Sequence, residues 1–85
     1  MEWSKVATIT HYFDRIGVAA MTLEDDLSVG DWIAFGRGDE LLFEQEVTSM
    51  QIEHQDIESA TRGDAIGMKV KQQVREGVDV YKRIE

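Results

Sequence analysis

Apolar positions along this chain recur at every second residue, the period of a strand, rather than at every third or fourth. From Lys5 to Phe13, Ala7, Ile9 and Phe13 share one face with His11, while Val6, Thr8, Thr10 and Tyr12 take the other. β-Branched and aromatic residues dominate, as a pleated surface prefers. A polar break at Asp14-Arg15 precedes a resumed pattern ending at Leu23, so the first two strands are predicted to form a hairpin. Asp31 to Gly36 predicts a third strand, and Glu40 to Glu53 a long fourth. In the fourth, the apolar parity switches from odd (Leu41, Phe43, Val47) to even (Met50, Ile52). A switch without a turn residue predicts a β-bulge near Thr48-Ser49. His54 to Asp64 lacks strand periodicity and is expected to be a connector, with one helical turn at Ile57 to Ala60. A fifth strand points Ile66, Met68 and Val70 to one face; a sixth groups Val78, Val80 and Ile84, with Lys82 between them. Six short strands with Gly-containing corners in one domain spanning 1–85 predict an all-β fold, a small closed six-stranded barrel without open edges.

The stretch Leu23-Glu24-Asp25-Asp26-Leu27-Ser28-Val29-Gly30-Asp31 raises the question of a metal loop. A calcium loop of the EF-hand type needs alternating acids, a central Gly and a distal Glu between helices. Here the acids are contiguous and the flanks are strands, so a tight corner is the better reading. Gly30 is expected to take positive φ and Asp31 to bond neighbouring amides. Gly63-Asp64 repeats the pair.

Composition narrows the chemistry. At 85 residues the core is limited. The chain has no cysteine, which removes disulfides, thiolate ligands and a thiol nucleophile. With no long apolar window and no signal-like amino terminus, the expectation is a cytoplasmic protein away from membranes. Neither His11 nor His54 has further His or Cys at ligand spacing, and no Gly-x-Ser-x-Gly elbow is present. No catalytic residue, metal site or cofactor is expected.

The formal charge of −8 argues against indiscriminate nucleic-acid binding. Glu24 to Glu58 holds eleven acids and one base, Arg37. Arg62 to Arg83 holds six bases and three acids. Arg62, Lys69, Lys71 and Arg75 therefore read either as a basic ridge for an RNA backbone or as ordinary solvated exteriors. His11, beside Tyr12 and Phe13, reads either as part of an exposed contact patch or as a packed histidine. Trp32 and Ala34 face opposite Ile33 and Phe35, so one apolar face is a contact surface unless something covers it.

Two Gly-Asp corners with strands between them carry a resemblance. Gly17 to Phe35, together with Val47 to Tyr81, resembles the second domain of elongation factor Tu and other translational GTPases. The matching positions are Leu27, Val29, Gly30, Asp31, Ala60, Gly63, Asp64, Ile66, Gly67 and Gly77. Thr10 to Ala20 and Ser49 to His54 are closer to stand-alone archaeal and bacterial barrel proteins, and to the barrel ending some collagenase-like peptidase family proteins. Some of that family act in tRNA modification. The resemblance implies a six-stranded Greek-key barrel in which Gly30, Asp31, Gly63, Asp64 and Gly67 shape structural corners. No phosphate-cradling Gly-x-x-x-x-Gly-Lys-Ser/Thr loop is present, so no nucleotide is expected. In elongation factor Tu this domain helps hold the aminoacyl end of tRNA with a Glu and an Asn; the matching places carry Gln51 and Ala65. Gln51 can still accept a hydrogen bond, whereas Ala65 has no amide to present. The expected function is a stand-alone, non-catalytic binding module that docks on a protein or ribonucleoprotein partner. The alternative is a direct RNA-binding domain linked to translation or tRNA modification.

Overall fold

The computed structural model describes residues 2–84. Ten strands follow one another: β1 (Glu2–Phe13), β2 (Val18–Leu23), β3 (Leu27–Ser28), β4 (Trp32–Arg37), β5 (Glu40–Glu46), β6 (Met50–Ile52), β7 (Gln55–Ile57), β8 (Ser59–Ala60), β9 (Ala65–Lys69) and β10 (Asp79–Ile84). Eight of them make one antiparallel sheet in the order β5-β4-β10-β1-β2-β9-β6-β7, and β3 pairs with β8 in a separate ribbon. Among the described residues no helix is long and apolar enough to cross a membrane.

The long first strand bends around the core by means of two bulges. Its register slips against β10 between Lys5 and Ala7, and against β2 between Ile9 and His11. The first slip turns both Val6 and Ala7 inward, where both are fully buried. The second reverses the alternation beyond Thr10, so Tyr12 packs on the core while Phe13 and His11 face out. The strict alternation expected from the sequence, with Phe13 inside, fails for that reason.

The two Gly-Asp corners share one construction. Gly30 and Gly63 sit at φ +100° and +93°, a region that only glycine enters without strain. The Asp31 Oδ2 accepts from the Ser28 amide at 2.9 Å, and the Asp64 Oδ2 from the Thr61 amide at 2.9 Å. Each corner also clasps a buried aliphatic residue. Gly30 donates to the Val47 carbonyl and Val47 donates back to that of Asp31; Gly63 donates to Leu23 and Leu23 donates back to Asp64. Leu27 and Ala60, which occupy matching places before the two turns, pair with each other across the β3–β8 ribbon. The acidic stretch thus forms a corner, as its spacing predicts. Gly67 is different: it lies inside β9 opposite Ala20 and Gln51, and shapes no corner.

Three elements depart from the predicted plan. The fourth strand is two strands, because β5 pairs with β4 whereas β6 pairs with β9 and β7. The parity switch marks a crossing between the two ends of the sheet, anchored at Val47, instead of a bulge within one strand. The connector carries β7 and β8 and no helical turn. Ile84 lies at the far end of β10 and is exposed rather than packed beside Val78 and Val80.

Instead of a six-stranded closed barrel, the main sheet has two edges, β5 and β7, with no backbone ladder joining them among the described residues. The β5 end is held by a side chain. Gln45, on the inward face of β5, donates from Nε2 to the Lys69 carbonyl at 2.9 Å. Its Oε1 accepts from the Lys71 amide at 2.9 Å. An amide side chain offers the same donor and acceptor as a peptide group, so Gln45 substitutes for a missing rung of the ladder. Inside, Ile9, Met21, Leu27, Ile33, Phe35, Met50, Met68 and Val80 are fully buried, and the Phe35 and Phe43 rings stack 4.4 Å apart. Each such side chain contributes about 1.5–3 kcal/mol through removal of apolar surface from water.

Candidate functional site

Beyond the second bulge of β1, the chain turns back into β2 through Phe13 to Gly17, with the Ile16 and Gly17 amides both donating to the Phe13 carbonyl. The turn has nowhere to bury its apolar side chains, so Phe13 is 46% and Ile16 59% exposed. They form one wall of a groove of about 420 Å³. Val18 and Ala20 of β2 and Ala65 and Gly67 of β9 line its floor, and Gln51, Glu53 and His54 close the opposite side. A Cβ on Gly67 would stand 3.3 Å from the Val18 Cγ1, so the bare glycine keeps that floor open.

The far wall carries backbone strain. Ile52 pairs with Gln55, leaving Glu53 and His54 as a two-residue hairpin turn. Both are left-handed, with φ 50° and 66°. Asn-Gly is the usual solution for such a turn, and each non-glycine residue there costs about 1 kcal/mol or more. Positions of this kind cluster at functional sites. Gln51, one strand position away, points its Nε2 to the Asp56 Oδ1 at 2.9 Å.

His11 stands beside this groove. Its ring meets Phe13 edge-on, with centroids 4.4 Å apart, and its Nδ1 lies 3.7 Å from the Glu76 Oε2. It is exposed, so it is not a packed histidine.

Two of the four basic residues share a cleft. Lys69 and Lys71 line a second cleft of about 390 Å³ with Trp32, Glu46 and Val70. Arg62 sits on the Gly63 turn, and Arg75 in the turn before Gly77; neither lines that cleft. Trp32 is half-buried, its Nε1 donating to the Glu44 Oε1 at 2.6 Å and the Arg83 guanidinium lying 5.7 Å from its ring centre. Charged neighbours therefore cover Trp32 on this face.

Titratable groups do not converge on any of these surfaces. No group of three or more His, Asp or Glu side chains suited to a metal occurs among the described residues. Hydrogen bonds to Asp79 and Glu24 raise Lys5 above the ordinary lysine value. It lies in an exposed ion-pair triad, with Nζ 3.3 Å from each carboxylate.

Sequence reasoning passed over Gln45 and the strain at Glu53-His54. A signal for the first was present: Gln45 falls on the inward parity between Phe43 and Val47. The second had none, since Glu and His do not advertise a left-handed turn.

No family model matches the chain. It is 35% identical over 77 residues, 91% of its length, to a protein named an uncharacterized protease from Methanocaldococcus jannaschii. It is also 35% identical over 72 residues, 84% of its length, to a collagenase of Porphyromonas gingivalis. These matches cover 19% and 20% of the relatives, so the chain spans about a fifth of the proteins it resembles. Among solved structures, the C-terminal domain of a Geobacillus thermoleovorans protein described as a U32 peptidase superposes with a TM-score of 0.86 at 17% identity, covering 95% of this chain and 93% of that one. A selenomethionine variant of the same domain gives 0.84 at 16% identity, covering 91% and 96%. The chain thus has the fold of a domain found at the C-terminal end of a U32 peptidase, and its sequence relatives bear the names protease and collagenase.

Proposed function

We propose that this chain is a non-catalytic binding module that docks a protein partner through the groove between Phe13-Ile16 and Glu53-His54. The observation that carries the reading is the pairing of two exposed apolar side chains on one wall with two strained, side-chain-bearing turn positions on the other. Exposed aromatic and aliphatic groups around a concave surface mark contact sites. The match to about a fifth of longer proteins supports a module that works beside a larger body, with any proteolytic chemistry carried elsewhere in those proteins. The likeness to the translation-factor barrel belongs to the same reading and rests on the two Gly-Asp turns, with Gln51 and Ala65 both lining the groove.

The test is affinity capture from nuclease-treated lysate with the native chain and with Ile16→Asp and Phe13→Asp, both at exposed positions. Capture that survives nuclease and is lost in both variants supports a protein partner. Capture indifferent to both substitutions removes the groove from the function.

A direct RNA-binding reading has one observation in its favour, the approach of Lys69 and Lys71 to Trp32. Glu46 lies in the same cleft and the chain carries −8 overall. Binding to tRNA should therefore be weak at physiological salt, with a Kd above about 10 μM, in the non-specific range. Tight binding abolished by Lys69→Glu with Lys71→Glu would favour RNA instead.

A further inference from the structure

A different half of the sheet carries a second surface. On the outer face of β1, β10, β4 and β5, Trp3, Tyr81, Ala34 and Leu41 line a cleft of about 270 Å³. The register aligns them: Tyr81 lies opposite Ala34, and Gly36 opposite Leu41. A Cβ on Gly36 would stand 3.5 Å from the Tyr81 ring and 3.1 Å from the Glu40 carbonyl, so the glycine lets the ring lie along the sheet. Asp39 and Glu40 form the rim at the β4–β5 end, while Arg83 and Lys5 lie opposite Trp3 and Tyr81 at the β1–β10 end. Neither acid has an ion-pair partner among the described residues. Beside the cleft runs β5, an edge of the sheet. Its register slips between Leu41 and Phe43, leaving Leu41 and Leu42 both exposed.

We propose that an extended segment of a partner protein adds to the edge of β5 along Glu40 to Phe43, away from the Gln45 seam, and lays a Lys or Arg side chain across Leu41 toward the Tyr81 ring where it lies over Gly36. The volume lies below the roughly 300–1,000 Å³ of a small-molecule site, and suits one long side chain. The Tyr81 ring with two carboxylates at the rim attracts a cation through both ring quadrupole and charge. The aliphatic stem of Lys or Arg covers Leu41 while its head reaches the acids. Edge addition supplies the backbone bonds that β5 lacks on its outer side between Glu40 and Phe43.

A second copy of this chain is the poorer occupant. Antiparallel pairing of β5 with itself would bring Glu40, Glu44 and Glu46 against their own kind. The same acids that keep copies apart select a basic segment. This surface shares no lining residue with the Phe13–Ile16 groove, so the two proposals stand separately.

The probe is an end-blocked octapeptide alternating Arg and Val, titrated into the 85-residue chain while tryptophan emission is followed. A matched peptide alternating Glu and Val is the control. The Arg peptide should bind with an emission change that weakens as salt rises, and the Glu peptide should not bind. Leu41→Lys and Glu40→Lys, both at exposed positions, should each lower affinity about tenfold with an unchanged thermal midpoint. Ile16→Asp, in the other groove, should leave it unaltered. Equal binding of both peptides, no binding of either, or affinity insensitive to the two β5 substitutions overturns the proposal. Sedimentation reads the other occupant: self-association of the native chain that Leu41→Lys abolishes would overturn it as well.

Discussion

The Gly-Asp corners and the β5 seam solve the same problem in opposite ways. At each corner a glycine with positive φ lets the backbone turn, and an aspartate caps an amide three residues back. Two more backbone bonds clasp Leu23 or Val47. At the seam the backbones do not meet, and one amide side chain, from Gln45, spans the distance to Lys69 and Lys71. The corner spreads its work over several bonds and is used twice. The seam concentrates it in a single residue, the one buried polar side chain among the described residues. Redundancy should make the corners tolerant of partial damage and the seam intolerant.

The largest effect is therefore expected from Gln45→Leu. The substitution keeps the volume but strands the Lys69 carbonyl and the Lys71 amide, so a loss of about 2–4 kcal/mol is expected. Chemical denaturation would show a lower midpoint with little change in slope, and amide exchange at Lys71 should accelerate more than the global loss explains. An unchanged midpoint would mean that the seam is held by packing alone.

Next comes Gly63→Val, or Gly30→Val. A Cβ at either position meets nothing within 4 Å, so the cost is backbone strain and not a clash. That strain is about 1–3 kcal/mol for a β-branched residue at positive φ. Thermal midpoints of both variants check it, and the comparison sharpens if Gly63→Asn recovers much of the loss, since Asn tolerates the left-handed region. Equal midpoints for Val and Asn would show that the corners do not depend on φ.

The same contrast explains what could be read in advance. Corners are written in local chemistry: Ser28 to Asp31 and Thr61 to Asp64 announce a glycine turn with a capping acid, whatever lies elsewhere. Strand existence is equally local, because alternation of Val, Ile and Phe reports a half-buried surface. Closure and strand pairing are not local. The parity change between Val47 and Met50 was legible, but a bulge and a crossing leave the same trace in sequence; only the partners, β4 for one piece and β9 for the other, tell them apart. The bulges at Val6 and Thr10 carry no turn residue and reverse the facing of Tyr12 and Phe13 without warning. The groove was legible only in fragments, since His11 and Gln51 could be named while Phe13 was assigned to the interior. The basic residues illustrate the converse: nearness in sequence groups Arg62 and Arg75 with Lys69, whereas in the fold the two arginines sit on the turns at Gly63 and Gly77 and Lys69 shares the Trp32 cleft with Lys71.

A smaller effect, of opposite sign, is expected at the third kind of turn. Replacing Glu53-His54 by Asn-Gly supplies residues suited to the left-handed positions, and should stabilise the domain by about 0.5–1 kcal/mol. If the groove is the docking surface, the stabilised variant should also capture its partner less well, a trade typical of strained functional positions. A raised midpoint with undiminished capture would detach the strain from function. A lowered midpoint would show that the two side chains hold the hairpin.

The smallest effect concerns Lys5, which ties the first acidic corner to the sheet through Glu24 and to β10 through Asp79. Thr8 adds a hydroxyl donor to the same Glu24 carboxylate at 3.2 Å. The Asp79 and then the Glu24 hydrogen bonds raise the Lys5 ammonium above its ordinary value of 10.5. A cation whose folded value is raised binds its proton more tightly when folded than when unfolded. Its stabilising contribution is therefore complete below the unfolded value and disappears as pH climbs through the raised folded one. Because the triad is exposed, screening keeps that contribution small. Denaturation midpoints should be flat in this contribution from pH 7 to 9 and fall slightly above pH 10.5. Lys5→Met should remove that alkaline fall while lowering the midpoint at neutral pH, and 1 M salt should shrink the difference between the two chains. A native chain and a Lys5→Met chain with parallel alkaline profiles would show that the triad contributes nothing, leaving the first corner to its glycine and aspartate alone.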